Sequence, residues 1–411
     1  MHNETSLDAL NFFLADVREG LGPYLAIYLL TERHWPEDRI GLVMTIAGLA
    51  GIIAQTPAGA LTDVSRAKRA IIIAAALVVT GASIILPYMT SFVLVAGSQA
   101  AAGAAGVFFA PAIAAITLGL MGQKQFTRRI GRNESFNHAG NAFLAAVAGA
   151  SAWKFGLMVV FYLMAVMALL SIASVLAVNA KAIDHDRARG LRNGDSKSHD
   201  RPSAFKTLLT CKGLLVFCLC CVTFHLANAA MLPLVGQKLA LEDKNQGTAL
   251  MSACIVAAQI VMVPMAALVG RKADSWGRKP LFLAAFAILP LRGFLYTLSD
   301  DRYWLVAVQT LDGVGAGLYG ALFVIVVADL TRGGGHFNLA QGAVITAQGV
   351  GAALSTSLAG FIVVRAGYSA AFLALGAIAA FGFLLYLFGM PETIEADRGE
   401  GEKLPAPVPA Q

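Results

Sequence analysis

The sequence predicts an all-α polytopic membrane protein: twelve transmembrane helices arranged as two pseudo-symmetric six-helix bundles. Three observations carry this. Of the 411 residues, 57% are hydrophobic and 14% charged, with a mean hydropathy of +0.67; soluble globular chains average about 45–50% apolar and about 25% charged. The apolar residues come in continuous runs long enough to cross a hydrocarbon core about 30 Å thick, which takes about 20 residues as a helix. The Lys and Arg residues concentrate in every second loop between those runs.

The runs fall at about 7–30, 40–61, 70–90, 92–121, 133–152, 156–180, 212–236, 247–270, 280–299, 303–331, 339–364 and 368–390. Barrel strands would alternate apolar and polar residues over segments of about 10, and these runs do not, so each is a helix. Span 1 is interrupted by Asp16, Arg18 and Glu19, and span 2 closes on Gly59. Span 4 carries Gln99, Gly103 and Gly106, and span 5 opens on Asn133 and Glu134, followed by Asn137, His138 and Asn141. Span 7 carries His225 and Asn228, span 9 Arg292, and span 10 Gln309, Asp312 and four glycines from Gly313 to Gly320. Small residues of this kind let helices pack closely. Pro23, Pro57, Pro87, Pro111, Pro233, Pro264 and Pro290 lie inside spans and predict kinks. The five cysteines, Cys211, Cys218, Cys220, Cys221 and Cys254, cannot converge on one metal from successive helical positions, so they are expected to be small apolar fillers.

The loops at 62–69, 122–132, 181–211, 271–279 and 332–338, with the C-terminal tail and Lys212, hold 22 of the 31 Lys and Arg; the alternate set holds 7. By the positive-inside rule both termini are cytoplasmic, and the localisation expected is a cytoplasmic (inner) membrane. Residues 1–180 then form one bundle, 181–211 a cytoplasmic linker, 212–390 the second bundle, and 391–411 a disordered tail. The linker's Asp184-His185-Asp186 and His199 fit a solvated charged segment better than a metal site. The start, Met1 to Asp8, lacks the basic region and cleavage site of a signal peptide. Basic residues form no stripe interleaved with aromatics, so the net charge of +6 does not point to nucleic acid. No P-loop is present, so ATP is not the direct energy source, and no cofactor or metal is expected.

Shifting the chain by 210 or 211 positions superposes its halves. Gly59 and Asp63 fall on Gly270 and Asp274, Gln99 and Gly103 on Gln309 and Gly313, Pro23 on Pro233, and Gly149 on Gly360. Residues 270–279 read GRKADSWGRK, with Gly270, Asp274, Gly277, Arg278 and Lys279 spaced as in the loop signature of the major facilitator superfamily. The earlier copy, GALTDVSRAKR at 59–69, keeps Gly59 and Asp63 but has Arg66 where a second glycine is usual. The chain resembles that family over essentially its whole length. The resemblance implies alternating access by two rocking halves, with Asp63 and Asp274 in cytoplasmic gates that close when the protein faces outward. Physically, glycine lets two helix ends approach, and an aspartate at one helix end can cap the positive N-terminus of another. The family's antiporter signature needs a Gly-Pro near the outer end of span 5, and Gly149-Ala150-Ser151 stands there without one.

Ionisable residues inside a membrane cost about 2.5–3.5 kcal/mol each on insertion scales and are functional candidates by default. Asp16, Glu19, His225, Arg292 and Asp312 all fall near the middle of their spans at about 1.5 Å per residue. In the resembled family spans 1, 4, 7 and 10 line the cavity, which would gather Asp16, Arg18, Glu19, Gln99, His225, Asn228, Gln309 and Asp312. Asp16 and Glu19 share a helix face. Either could couple transport to protons, since a carboxylate in a partly dry cavity can load and release them near neutral pH, or form a structural ion pair. Glu19 is the expected partner of Arg18, and Asp312 that of Arg292. Asn137, His138 and Asn141 form either a substrate or gate cluster or plain inter-helix hydrogen bonds. The function expected is a monomeric secondary transporter for a small polar or cationic organic solute, proton-coupled, with export as the direction put forward. The rivals are an uncoupled carrier, a ligand sensor without transport, and, least supported, an enzyme using His138 or His225.

Overall fold

The computed structural model describes residues 2–19, 25, 28–29, 32–35, 37–155, 158–191, 211–242, 244–332 and 336–394, with some helical side chains among them left out. Among the described residues the regular structure is entirely helical. In the first half, helices His2–Glu19, Glu37–Val64 and Lys68–Ile85 form spans 1 to 3, and Met158–Ala177 forms span 6. Phe92–Gly106 and the start of Phe109–Phe155 make span 4. Phe109–Phe155 bends at Gly122, whose φ of 65° suits a residue without a Cβ, and its remainder is span 5. In the second half, Lys212–Asn228 with Met231–Glu242 makes span 7, and Lys244–Trp276, Arg278–Leu295 and Arg302–Leu330 make spans 8 to 10. Phe337–Gly389 bends at Gly367, φ 81°, into spans 11 and 12.

The internal repeat is visible in the packing. A side chain at Gly103 would run into the backbone of Ala47, and one at Gly313 into that of Ala258. Ala47 and Ala258 are themselves 211 positions apart, so each half crosses its second and fourth spans at the same place. One buried apolar cluster lies wholly within residues 7–183 and another within 230–375. The largest, around Phe217, Phe282, Phe286, Tyr319 and Tyr386, also takes in Ala114, Leu118, Phe126 and Ile130 from the first half and so spans the junction. Ile53, Val93, Leu169, Phe361, Val364 and Phe388 stay exposed on the outside, as lipid-facing positions require. Cys218, Cys220, Cys221 and Cys254 are buried free thiols, and Cys211 is half-buried.

Three boundaries differ from the sequence expectation. Span 5 is helical from 123 rather than 133. The charges that seemed to end it are neutralised: Arg129 and Arg132 of span 5 bind the two oxygens of Asp8 on span 1, each at 2.5 Å. The linker is not solvated throughout. The Asp184 N–H donates to the Gly119 carbonyl at 3.2 Å, Ala188 is fully buried, and Asp184 accepts from the N–H groups of Asp186 and Arg187 at 3.0 Å. Its remainder, 192–210, lies outside the described residues. The tail begins in an ordered role, since Glu392 accepts from the N–H groups of Arg278 and Lys279 at 2.9 and 3.0 Å and so caps span 9. The residues from 395 onward lie outside those described.

Candidate functional site

The two halves meet at the face that carries the basic loops. Span 2 lies against span 11, and span 5 against span 8. Gly59 touches Asn338 so closely that a Cβ would overlap its carbonyl, and Gly131 sits against Gly270 in the same way. The two glycines of the repeated motif, Gly59 and Gly270, therefore each seat a helix of the opposite half. Asp63 completes the first contact. Its Oδ1 accepts from the Asn338 N–H at 3.2 Å and side-chain amide at 2.7 Å, and its Oδ2 accepts from the Leu339 N–H at 2.8 Å. A buried carboxylate thus caps the N-terminus of span 11, satisfying orphan donors and facing the positive helix end.

The second copy works differently, although it keeps the signature better. Asp274 is half exposed and pairs within its own loop with Arg278 at 2.7 Å. Arg278 is the residue that crosses, donating to Thr127 of span 5 at 3.1 Å while its Nε holds Asp329 at 3.0 Å. Gly277, at φ 93°, leaves room for Glu392, whose carboxyl a Cβ would strike. Lys279 contributes its backbone N–H to that cap. The two copies of the motif thus differ: one aspartate caps across the junction, and in the other copy an arginine makes the crossing.

Above this seal lies a cavity of about 580 Å³ between the halves, lined from both. From the first half come Arg18, Gln55, Gln99, Asn133 and Glu134, and from the second Phe323, Gln341, Ile345 and Gln348. Arg18 donates to the Asn137 side-chain oxygen at 3.3 Å, and the Asn137 amide donates to Glu134 at 3.3 Å. An arginine and a glutamate in the cavity wall are thus linked through one asparagine. Farther from the basic face, His138 Nδ1 lies 2.8 Å from the Gln259 side-chain oxygen, bridging spans 5 and 8, and the Thr56 and Thr346 hydroxyls meet at 2.9 Å across spans 2 and 11. The His138 bridge joins the two halves one turn beyond Glu134. His138→Ala is therefore expected to raise the labelling rate of a cysteine placed at Gln259, read by maleimide accessibility in membranes.

The expected site residues separate into groups. Arg18 and Gln99 line the cavity. Arg18 takes Asn137 as a partner, a residue on another helix that reasoning along span 1 could not reach. The side chains of Asp16 and Glu19 lie outside the described residues. Asn228, Gln309 and Asp312 form a second polar cluster with Arg292, as the similar depths of Arg292 and Asp312 predict. Arg292 donates to Asp312 at 2.5 Å, to Asn228 at 2.8 Å and to Gln309 at 3.0 Å, and Gln309 also accepts from the Tyr296 hydroxyl at 2.5 Å. His225 stands apart from both, with Nδ1 donating to the Cys221 carbonyl at 3.0 Å and its ring packed edge-on to Tyr319. Asn141 is half-buried one turn beyond Asn137. Glu134, Gln55, Gln341 and Gln348 were not anticipated as cavity residues. Glu134 had a signal, a carboxylate three residues before Asn137, but the late start assigned to span 5 placed it at the membrane edge.

Comparison with known proteins agrees with this architecture. The family model described as Major Facilitator Superfamily matches residues 7–300 and again 217–410. In two strains of Mycobacterium tuberculosis, CDC 1551 / Oshkosh and H37Rv, a protein named as an uncharacterized MFS-type transporter is 57% identical over 392 residues, covering 95% of this chain and 94% of its own length. Among solved structures, the E. coli fucose:proton symporter FucP superposes with a TM-score of 0.70 at 16% identity, over 94% of this chain and 98% of that one. FucP in the outward conformation gives 0.73 at 16% identity with the same coverage. The human organic anion transporter MFSD10 (TETRAN) gives 0.66 at 15% identity, over 94% and 99%. At such identities these structures bear on the fold alone. The matched model and the 57% identical relatives, spanning nearly all of the chain, show that it belongs to the major facilitator superfamily.

Proposed function

We propose that this protein is a proton-coupled secondary transporter that carries a small polar organic solute across the cytoplasmic membrane by alternating access. The observation that carries the reading is the cavity between the halves, sealed at the basic face by helix-end contacts such as Asp63 with Asn338 and Leu339. Basic loops face the cytoplasm, so the closed seal is the inner gate and this form is outward-facing. A site near the repeat interface with rigid halves on either side is what alternating access requires. Contacts such as Asp63 with span 11 and Arg278 with Thr127 can break as a set when the halves rock.

Proton coupling is assigned to the span 1 and span 5 acids. Glu134 lines the cavity and reaches Arg18 only through Asn137, so a bound solute or a proton can change which group Asn137 serves. Asp16 and Glu19 belong to the same stretch of span 1 as Arg18. Asp312 is assigned a structural role, because Arg292 and Gln309 engage both of its oxygens. Glu134→Gln is expected to abolish pH-gradient-driven accumulation in vesicles while leaving equilibrium exchange of the same solute. If Asp16→Asn and Glu19→Gln both keep full gradient-driven transport, those two residues have no part in coupling. Binding without flux in the wild-type chain would replace the transport reading with a sensor.

A further inference from the structure

The central cavity is lined by a set of carboxamides, three of which carry a buried atom without a hydrogen-bond partner, and that set has a chemistry of its own. Gln55 of span 2, Gln99 of span 4 and Gln341 and Gln348 of span 11 all line the one cavity. All four are more than nine-tenths buried. Gln348 donates to the Tyr319 hydroxyl at 2.6 Å. The other three carry buried atoms without a hydrogen bond: Nε2 of Gln55, Nε2 of Gln99 and Oε1 of Gln341. Native structures leave few buried polar side-chain atoms unpaired, and a cluster of them around one cavity needs a reason.

The reason is constrained by what else lines the wall. The charged lining groups described, Arg18 and Glu134, are one of each sign and already share Asn137 as a partner. Asn133 is satisfied by Arg129 and Thr117, and the rest of the wall is apolar, with Leu25, Met44, Val79, Phe323 and Ile345. A carboxamide offers a donor and an acceptor side by side. Adjacent hydroxyl groups on a carbon skeleton offer the same pair in return, and the skeleton's C–H face suits the apolar wall. A charged solute would leave its charge without a dedicated counter-charge among these groups, and a plain hydrocarbon would leave the amides unpaired.

We propose that the cavity selects an uncharged, polyhydroxylated solute, gripped by Gln55, Gln99 and Gln341. This narrows the transport reading above and rests on it only for the claim that what binds is also moved. The size fits: about 580 Å³ lies within the range of about 300–1,000 Å³ of small-molecule pockets.

The test uses the full chain in lipid nanodiscs and in proteoliposomes. Binding is read by thermal shift with D-glucose, D-galactose, myo-inositol and D-mannitol, set against gluconate and glucosamine, which carry one charge on a similar skeleton, and cyclohexanol, which lacks the diols. At least one neutral polyol is expected to stabilise the protein and to cross the vesicle membrane. Gln99→Met and Gln341→Met are each expected to weaken that binding roughly tenfold, without lowering the ligand-free melting temperature, because methionine removes an unpaired amide at similar volume. Should one variant fail to fold, the other is read. Stronger binding of gluconate or glucosamine, no shift with any neutral polyol, or methionine variants that bind as tightly as wild type each overturn the proposal. A polyol that binds through the amides but does not cross upholds it and sinks the transport reading. A charged solute that crosses does the reverse.

Discussion

Replacing Arg292 by methionine is expected to destabilise the protein by about 3–5 kcal/mol, and adding Asp312→Leu to recover most of that loss. Arg292 is fully buried on span 9. Its guanidinium serves three acceptors at once: Asp312, Asn228 and Gln309. Without it Gln309 keeps the Tyr296 hydroxyl, but Asp312, its side chain 15% exposed, is left with one amide from Gln309 at 3.2 Å. An uncompensated buried charge dominates the cost. Removing both charges takes away the penalty along with the attraction, which is why the double variant should melt near wild type while the single one does not. The same pair of variants decides the role of Asp312. A stable double variant that still accumulates solute against its gradient marks the network as structural. One that folds and only equilibrates the solute moves the coupling site to the second half.

The number of helices and the pairing of Arg292 with Asp312 were legible because each rests on a large energy. Apolar runs are set by the cost of unpaired backbone in lipid, and a buried arginine must find a carboxylate at its own depth. The capping role open to Asp63 was legible for a related reason: a motif that joins glycine to an aspartate near a helix end names its chemistry. What was hidden has little local cost or depends on distant chain. Single glutamines such as Gln55 and Gln341 barely interrupt an apolar run, so nothing in the sequence singles them out as cavity residues. Glu134 was misplaced because Arg129 and Arg132 look like a membrane boundary until Asp8, more than 120 residues away in sequence, is seen to neutralise them. Glu392 gave no sign that it caps span 9, since its partners Arg278 and Lys279 lie more than 110 residues before it. Tertiary partners of this kind follow from the fold and cannot be read before it.

A single methyl group at Gly59 is expected to cost more transport than the loss of the Asp63 carboxylate four residues on. Gly59→Ala should strengthen its own helix, alanine being favoured over glycine by about 1 kcal/mol in a helix interior. Any loss of function must then come from the junction. There the added Cβ would overlap the Asn338 carbonyl oxygen and sit 2.9 Å from its carbon, and both are backbone atoms that cannot swing aside. The gate then cannot close to the same contact: spans 2 and 11 are held apart, which also pulls Asp63 from its cap. Asp63→Ala removes the cap alone, worth about 1–2 kcal/mol, and so shifts the closed population by about tenfold or somewhat more. The expected order of transport rates is wild type, then Asp63→Ala, then Gly59→Ala. Gly81→Ala serves as control, because open space surrounds that position. Maleimide labelling of a cysteine at Thr346 reports the gate directly, since its hydroxyl meets that of Thr56 when the gate is shut. Labelling from the basic face should be highest in Gly59→Ala, lower in Asp63→Ala and lowest in wild type. Equal labelling of Gly59→Ala and Gly81→Ala would mean that the contact between spans 2 and 11 does not hold the gate.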